Sequence, residues 1–270
     1  MLFASFYRRN LAFARLAIVT NLEYRLNFVT DALVQPVASA IVEVLLWYSL
    51  FQIGSGDLLA GFPRENYLAY ALWASFLTRI TTNWMYEARM MNEIESGTLN
   101  SILVRPISFF EYYLSQFLGY KVLIIVVSLA IPLIATKIFA LPFLIARLPT
   151  ALALIVWYLV FCHLLSYTLS CVAFHMTKTH SLSMAKNLAL WLLSGELIPL
   201  DMLPPGAQEI FLLLPFASAV YVPTAYLIGR VNEDILVQGF VATTLGIGVC
   251  ALLAQWAWRR GLRAYSGTGA

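Results

Sequence analysis

The sequence predicts an all-α polytopic membrane protein with six transmembrane helices, on three observations. First, 61% of its 270 residues are hydrophobic and only 11% are charged, against about 25% charged in an average soluble domain. A soluble fold of this size lacks the polar side chains to cover its exterior, and disordered chains have the opposite composition. Second, the apolar residues fall in long continuous runs such as Val122–Ala135, not in the alternating ten-residue strands of an outer-membrane barrel. Third, a span needs about 20 apolar residues, so this length accommodates six with short connections.

Residues 3–25 interleave Arg8, Arg9, Arg15, Glu23 and Arg25 with Phe6, Leu11, Phe13, Leu16 and Ile18, a pattern that suits an interfacial helix. Arg15 interrupts any signal-like core, and no small-residue cleavage site follows. Spans are expected at 28–53, 67–86, 113–135, 151–176, 182–200 and 235–256. The turn-rich loop between the first two carries Gly54-Ser55-Gly56-Asp57 and Gly61-Phe62-Pro63-Arg64. Lys178, His180 and Lys186 mark the turn between the fourth and fifth. With both termini inside, eleven lysines and arginines face the cytosol (Arg8, Arg9, Arg15, Arg25, Arg89, Arg105, Lys178, Lys186, Arg259, Arg260, Arg263). Four face outward (Arg64, Lys137, Arg147, Arg230), which satisfies the positive-inside rule.

The stretch 198–234 holds five of the eleven prolines, Pro199, Pro204, Pro205, Pro215 and Pro223. Although Ala207–Ile228 is apolar enough for a seventh span, a seventh crossing would put Arg259, Arg260 and Arg263 outside. The segment 201–230 therefore reads as short re-entrant helices at the outer side, where broken backbone must pack on protein or line a wet cavity.

Catalytic patterns are scarce. His163, His175 and His180 have no HExxH spacing, and neither GxSxG nor CxxC occurs. Adjacent Cys162 and His163 diverge on a helix, and Cys162, Cys171 and Cys250 all lie in apolar runs, as small buried hydrophobes do. No metal site is expected. No Gly-Lys pair exists, so the phosphate loop GxxxxGK[ST] is absent. The net charge of +3 gives no reason to expect nucleic acid.

Intramembrane charge is costly and faces a bundle interior or water. At about 1.5 Å per residue, Asp31 near the inner end of span one and Arg79 two-thirds through span two differ in depth by about one turn. Glu43 lies nearer the outer half, so Asp31–Arg79 is the better pair on depth. Packing between spans and lining of a substrate path both remain open for these charges. Lys121 is expected to snorkel toward the inner interface, and Trp47, Trp73, Trp84 and Trp256 suit interfacial or packing roles.

The polar segment 87–108 includes Glu93-Ile94-Glu95-Ser96-Gly97-Thr98-Leu99, then Ile102-Leu103-Val104-Arg105-Pro106-Ile107-Ser108. It resembles the segment after the second span in type-2 ATP-binding-cassette export permeases. Ser194-Gly195-Glu196-Leu197-Ile198-Pro199-Leu200, followed by Leu203-Pro204-Pro205 and Leu214-Pro215, is similar to the fifth span and outer re-entrant helices of the same superfamily. The overall layout most resembles a bacterial branch pairing a permease of this length with a sister permease and one type of ATPase.

The resemblance implies a permease subunit of an ATP-driven exporter in the bacterial inner membrane, not an enzyme itself. A cytosolic ATPase, in two copies, would bind ATP and Mg, and a second permease, identical or sister, would complete the path. Residues 93–103 would form a coupling helix, with Glu93 and Glu95 meeting basic groups of the ATPase and Ile94, Thr98, Leu99 and Arg105 beside them. Gly97 would permit a tight turn, and Pro106 would stop the helix. Helix 3–25 would be a second ATPase contact. Spans one, two and five would line the path, with Asp31, Glu43, Arg79 and Glu196 inside it and Gly195, Pro199, Pro204 and Pro205 near the outer gate. A stand-alone ion-driven transporter, with inverted repeats, and a membrane-embedded lipid-modifying enzyme are the rival readings.

Overall fold

A computed structural model describes residues 2–53, 58–59, 61–176 and 179–265, with the side chains of residues 2–6 outside that description. Lys178 and the Gly54–Asp57 part of the turn-rich loop lie outside the described residues. The described chain is helical apart from one small ribbon. Helix α1 (Leu2–Glu23) leads into α2 (Arg25–Val29), a π turn (Thr30–Val34) and α3 (Gln35–Ile53). Strands β1 (Leu58–Leu59) and β2 (Phe62–Pro63) pair antiparallel, closed by Gly61 at φ +83°. Then come α4 (Arg64–Thr81), α5 (Trp84–Glu95), α6 (Asn100–Leu103), α7 (Phe109–Ile138), α8 (Leu148–Ser170) and α9 (His180–Leu193). Short helices α10 (Pro205–Leu213) and α11 (Tyr221–Leu227) precede the long α12 (Glu233–Ala264).

Among the described residues, four stretches are long and apolar enough to cross a membrane: Arg25–Ile53, Phe109–Ile138, Ile145–Phe174 and Glu233–Ala264. The second and fifth expected spans differ in build. Segment 67–86 is not one helix: α4 stops at Thr81, Thr82 is extended, and α5 restarts at Trp84. Segment 182–200 is a 14-residue helix followed by a turn at Gly195, φ +80°. Both are polar at their ends, and α4 lives inside the bundle, with Trp73, Tyr67, Phe76 and Leu77 wholly buried. Thirteen of its eighteen residues are buried, so α4 is packed as a soluble core helix is, against protein on most sides.

Helix α1 packs along the first half of α7. Its partners climb both helices together: Arg9 to Glu111 at 3.0 Å, Phe13 edge-on to Tyr112, and Asn10 to Ser115 at 3.1 Å. Gly119 makes the approach possible, since a Cβ there would meet the Ala14 carbonyl oxygen at 2.5 Å. At the same end of the bundle Phe109 stacks on Trp258 of α12 at 5.3 Å. The opposite end is tied by Arg147, which donates to the Tyr226 and Val231 carbonyls at 2.8 and 3.1 Å.

Arg230 also lies at that opposite end. Its guanidinium pairs with Asp201 at 3.0 Å, its side chain 0% exposed. It sits 4.1 Å from the Phe62 ring centre and 4.3 Å from that of Tyr67. One cation thus joins the ribbon, α4 and the turn after α9.

Candidate functional site

An open cavity of about 630 Å³ lies between α3, α4 and α9. Gln35 and Ser39 come from α3, Ser75, Thr78 and Arg79 from α4, and Asn187 and Glu196 from α9 and its following turn. Apolar surface from Pro36, Tyr158, Leu188 and Trp191 separates these groups. The side toward α9 is open: Met184, Leu188 and Trp191 are each about half exposed or more.

Asp31 and Arg79, paired from depth alone, form an ion pair across α3's π turn and α4. Tyr120 of α7 donates its hydroxyl to the same carboxylate, and Arg79 reaches Tyr120 at 3.4 Å. Lys121 does not snorkel toward the inner interface as expected. It is 2% exposed, donates to the Arg79 carbonyl at 3.1 Å and lies over the Phe117 and Tyr120 rings. The helix break explains this: ending α4 at Thr81 leaves carbonyls without intrahelical donors, and Lys121 supplies one while Cys162 supplies another at Thr81. Glu43 lies within electrostatic reach of Glu196 and beside Ser75, one turn or more above Arg79 along α4.

Gly195 adopts a left-handed backbone, and a Cβ there would come within 2.8 Å of Tyr221 Cβ. Tyr70 donates to the Gly195 carbonyl at 2.6 Å, and the Tyr221 amide to the Ser194 carbonyl at 2.9 Å. Pro199 precedes a single 3-10 turn (Leu200–Met202), and Pro205 opens α10 from Pro204. Pro in the first turn forfeits only a donor that has no acceptor there.

The segment 93–103 is not one helix. Helix α5 ends at Ser96, and Gly97 at φ +77° takes the left-handed position after the cap. Leu99, fully buried, anchors the turn before α6. Glu93 and Glu95 turn inward. Glu95 accepts from the Thr179 amide at 3.3 Å and its hydroxyl at 2.6 Å, at the start of α9. Glu93 accepts from the Tyr113 hydroxyl; burial pushes its carboxyl up, and Tyr113 and Arg89 pull it partly back. Ile94 is buried. The outward face is carried instead by Thr98, Leu103, Val104, Arg105 and Pro106. Arg9 of α1 donates to the Pro106 carbonyl at 3.1 Å, tying the two surface elements together.

Two residues given no role by sequence reasoning complete this picture. Glu87 of α5 is fully buried and bonds Ser183 and Lys186 of α9. Asn83, in the break, is 4% exposed with both amide atoms unpartnered among the described residues. Each was visible as a polar group within or beside an apolar run, a pattern that marks function or structure in membrane helices. His163, by contrast, is a packed ring: 0% exposed, between Phe110 and Phe117. Trp47 and Trp73 are buried, whereas Trp84 and Trp256 are exposed.

A family model described as ABC-2 family transporter protein matches residues 37–269. The chain belongs to the ABC-2 transporter family. No individual curated protein is significantly similar to it. As an ABC-2 protein it is an integral membrane permease, a transport component and not itself catalytic, of a kind that generally works with a cytosolic ATPase. The match covers the cavity lining apart from Gln35 and Pro36, the turn at Gly97 and the stretch from Gly195 to Pro205, and begins within α3, leaving α1 outside it.

Proposed function

We propose that this permease is the membrane subunit of an ATP-driven exporter, in the bacterial inner membrane, with both termini cytosolic. Counting α4–α5 and α9 with the four long helices gives six spans; α10 and α11 are the re-entrant outer segment. The cavity between α3, α4 and α9 is half of a path that a second permease, a like copy or a sister chain, completes. Asp31, Arg79, Glu43 and Glu196 line or support it, and Gly195, Pro199, Pro204 and Pro205 shape its outer gate. ATP and Mg belong to a separate ATPase, two copies of which dock beneath.

One observation carries the reading: the exposed turn at 96–106 continues directly from α5, and α5 is bonded to α9, one wall of the cavity. Glu95 holds the first turn of α9, and Glu87 holds Ser183 and Lys186 one turn on. Movement of the turn by an ATPase therefore reaches α9 through three side-chain contacts, without passing through loop. Such rigid-body transfer is how a closing motor reorients a gate. Gly97, Thr98, Arg105 and Pro106 form or shape the docking face, with Glu93, Ile94, Glu95 and Leu99 holding it from inside. Arg9 makes α1 part of the same surface.

The test is purification of the tagged chain from its own membranes, followed by assay for an ATP-binding-cassette subunit and its hydrolysis. Capture of that ATPase is expected, and Val104→Asp or Arg105→Glu should reduce it at least tenfold at unchanged permease yield. A chain that captures no such ATPase, or whose capture ignores both changes, would falsify the coupling assignment.

A further inference from the structure

The break between α4 and α5 is polar and buried inside the bundle, with Thr81 and Asn83 each 4% exposed, and its own contacts leave it unsatisfied. The first-turn amides of α5 have no intrahelical acceptor, and no side chain caps them. Helix α5 has twelve residues, so its N-terminus carries the partial positive charge of a real helix end. That alone would not make a site. Asn83 adds an independent sign: it is 4% exposed, lines the cavity, and neither its Nδ2 nor its Oδ1 has a partner among the described residues. A buried amide left unpaired pays its full desolvation penalty, which a ligand accepting from it would remove.

The surroundings favour one sign of charge. Arg79 lines the cavity beside Asn83, and its Nε is buried without a partner. Lys121 and Asn83 together line a small recess behind the break. Two basic side chains thus face a single acid there, Asp31. The cavity's own carboxylate, Glu196, sits higher, beside Thr78 of α4. The lining above the break is mostly apolar, and the open side runs toward the exposed apolar residues of α9, Met184, Leu188 and Trp191.

We infer that the cavity takes an amphiphile with an anionic group, seated on the Asn83 amide, the first turn of α5 and Arg79, its apolar body along α9. Phosphate and carboxylate headgroups share the needed chemistry, acceptors that fit helix N-termini and guanidinium forks. Glu196 then sets polarity by repelling the headgroup from the upper end. This deepens the exporter reading and rests on the cavity being the substrate path.

The experiment uses the full chain in nanodiscs of neutral lipid, with empty nanodiscs subtracted. Radiolabelled decyl phosphate is bound and then competed with decyl phosphate, decyl glucoside, decyltrimethylammonium or inorganic phosphate. Decyl phosphate should compete at least tenfold better than the neutral and cationic chains, and inorganic phosphate should be ineffective at the same concentrations. Asn83→Asp, which keeps a good cap but puts a carboxylate in the headgroup's place, should weaken decyl phosphate at least tenfold and leave decyl glucoside unchanged. Asn83→Leu, which deletes the donor without adding charge, should weaken it severalfold and serves if the aspartate variant does not fold. Equal competition by decyl glucoside, or full decyl phosphate affinity in both variants, overturns the proposal. Competition by inorganic phosphate as strong as by decyl phosphate overturns the amphiphile in favour of a plain anion. Capture of the ATPase is read separately: a chain that captures it but shows no charge preference loses only this site. A chain with the preference but no ATPase keeps the site and loses the exporter.

Discussion

Arg230 shows how much one side chain carries in this fold. Its guanidinium lies between Phe62 and Tyr67 with Asp201 as its acid, and cation–ring contacts gain most where water is excluded. Arg230→Met should destabilise the chain by about 3–5 kcal/mol, because it leaves Asp201 without its partner in a confined place. Adding Asp201→Asn should recover a large part, read as the midpoint of thermal unfolding in detergent. Equal midpoints for the single variant and wild type would remove this staple from the account. Two of the left-handed glycines, Gly97 and Gly195, make a graded pair. Gly97→Ala should cost about 1–2 kcal/mol for the backbone conformation alone, whereas Gly195→Ala should cost more, since its Cβ also collides with Tyr221 and Leu200. Glu93 gives a pH dependence. Its folded carboxyl is raised above the ordinary 4.5, so between the two values the fold holds a proton that the unfolded chain has released. Stability therefore falls as pH rises through that window and stays lower above it. Glu93→Gln should flatten the profile on the alkaline side of the ordinary 4.5 and be the more stable form at neutral pH; a slope identical to wild type would show that Glu93 does not cause it.

The elements divide into those legible in the sequence and those that are not. The four long apolar helices were plain from run length, and so was the broken character of the stretch rich in proline. Asp31 and Arg79 could be paired from rise per residue alone because the chain stays helical from α2 through the π turn that carries Asp31 into α3, and Arg79 precedes the break that ends α4. The break at Thr82-Asn83 could not be read, since neither proline nor glycine marks it. Thr-Thr-Asn only weakly disfavours helix, and the tertiary contacts of Lys121 and Cys162 with the freed carbonyls stabilise the interruption. Lys121 was misjudged for the same reason: its partner exists only once the helix has broken. The inward turn of Glu93 and Glu95 was equally hidden, because the start of α9 comes to Glu95 from more than eighty residues away. At this scale the contact of α5 with α9 is the one to break. Lys186→Met leaves Glu87 buried with only Ser183, at a cost of about 3–5 kcal/mol. Amide exchange in the first turns of α9 should quicken in this variant, and Glu87→Gln added to it should restore much of the protection. Unchanged exchange would mean that α9 is held by packing alone.

Seen whole, the molecule exposes apolar side chains along several helices, among them Ile41, Val42 and Leu45 of α3, Leu188 and Leu192 of α9 and Leu245 and Leu252 of α12. Surfaces of this extent belong against lipid or another subunit. The proposed orientation can be checked with membrane-impermeant maleimide on intact cells. Cys162, Cys171 and Cys250 are all buried, so the parent chain should label little. Ile145→Cys at an exposed site should label from outside, and Val104→Cys only after the membrane is opened; the reverse pattern would invert the topology.

The two pieces of the broken helix each hold α9, at different places. Tyr70, on α4, grips the Gly195 carbonyl just past the end of α9; Glu87, on α5, grips Ser183 and Lys186 near its beginning. The arrangement is a bow with its string, α4 and α5 forming the limbs, Thr82-Asn83 the grip and α9 the cord. A bow cannot be straightened while its string stays tied at both nocks. Any opening of the angle at Thr82-Asn83 must therefore release Tyr70 at one end or Glu87 and Glu95 at the other, so the order in which the two ends let go decides which mouth of the cavity widens.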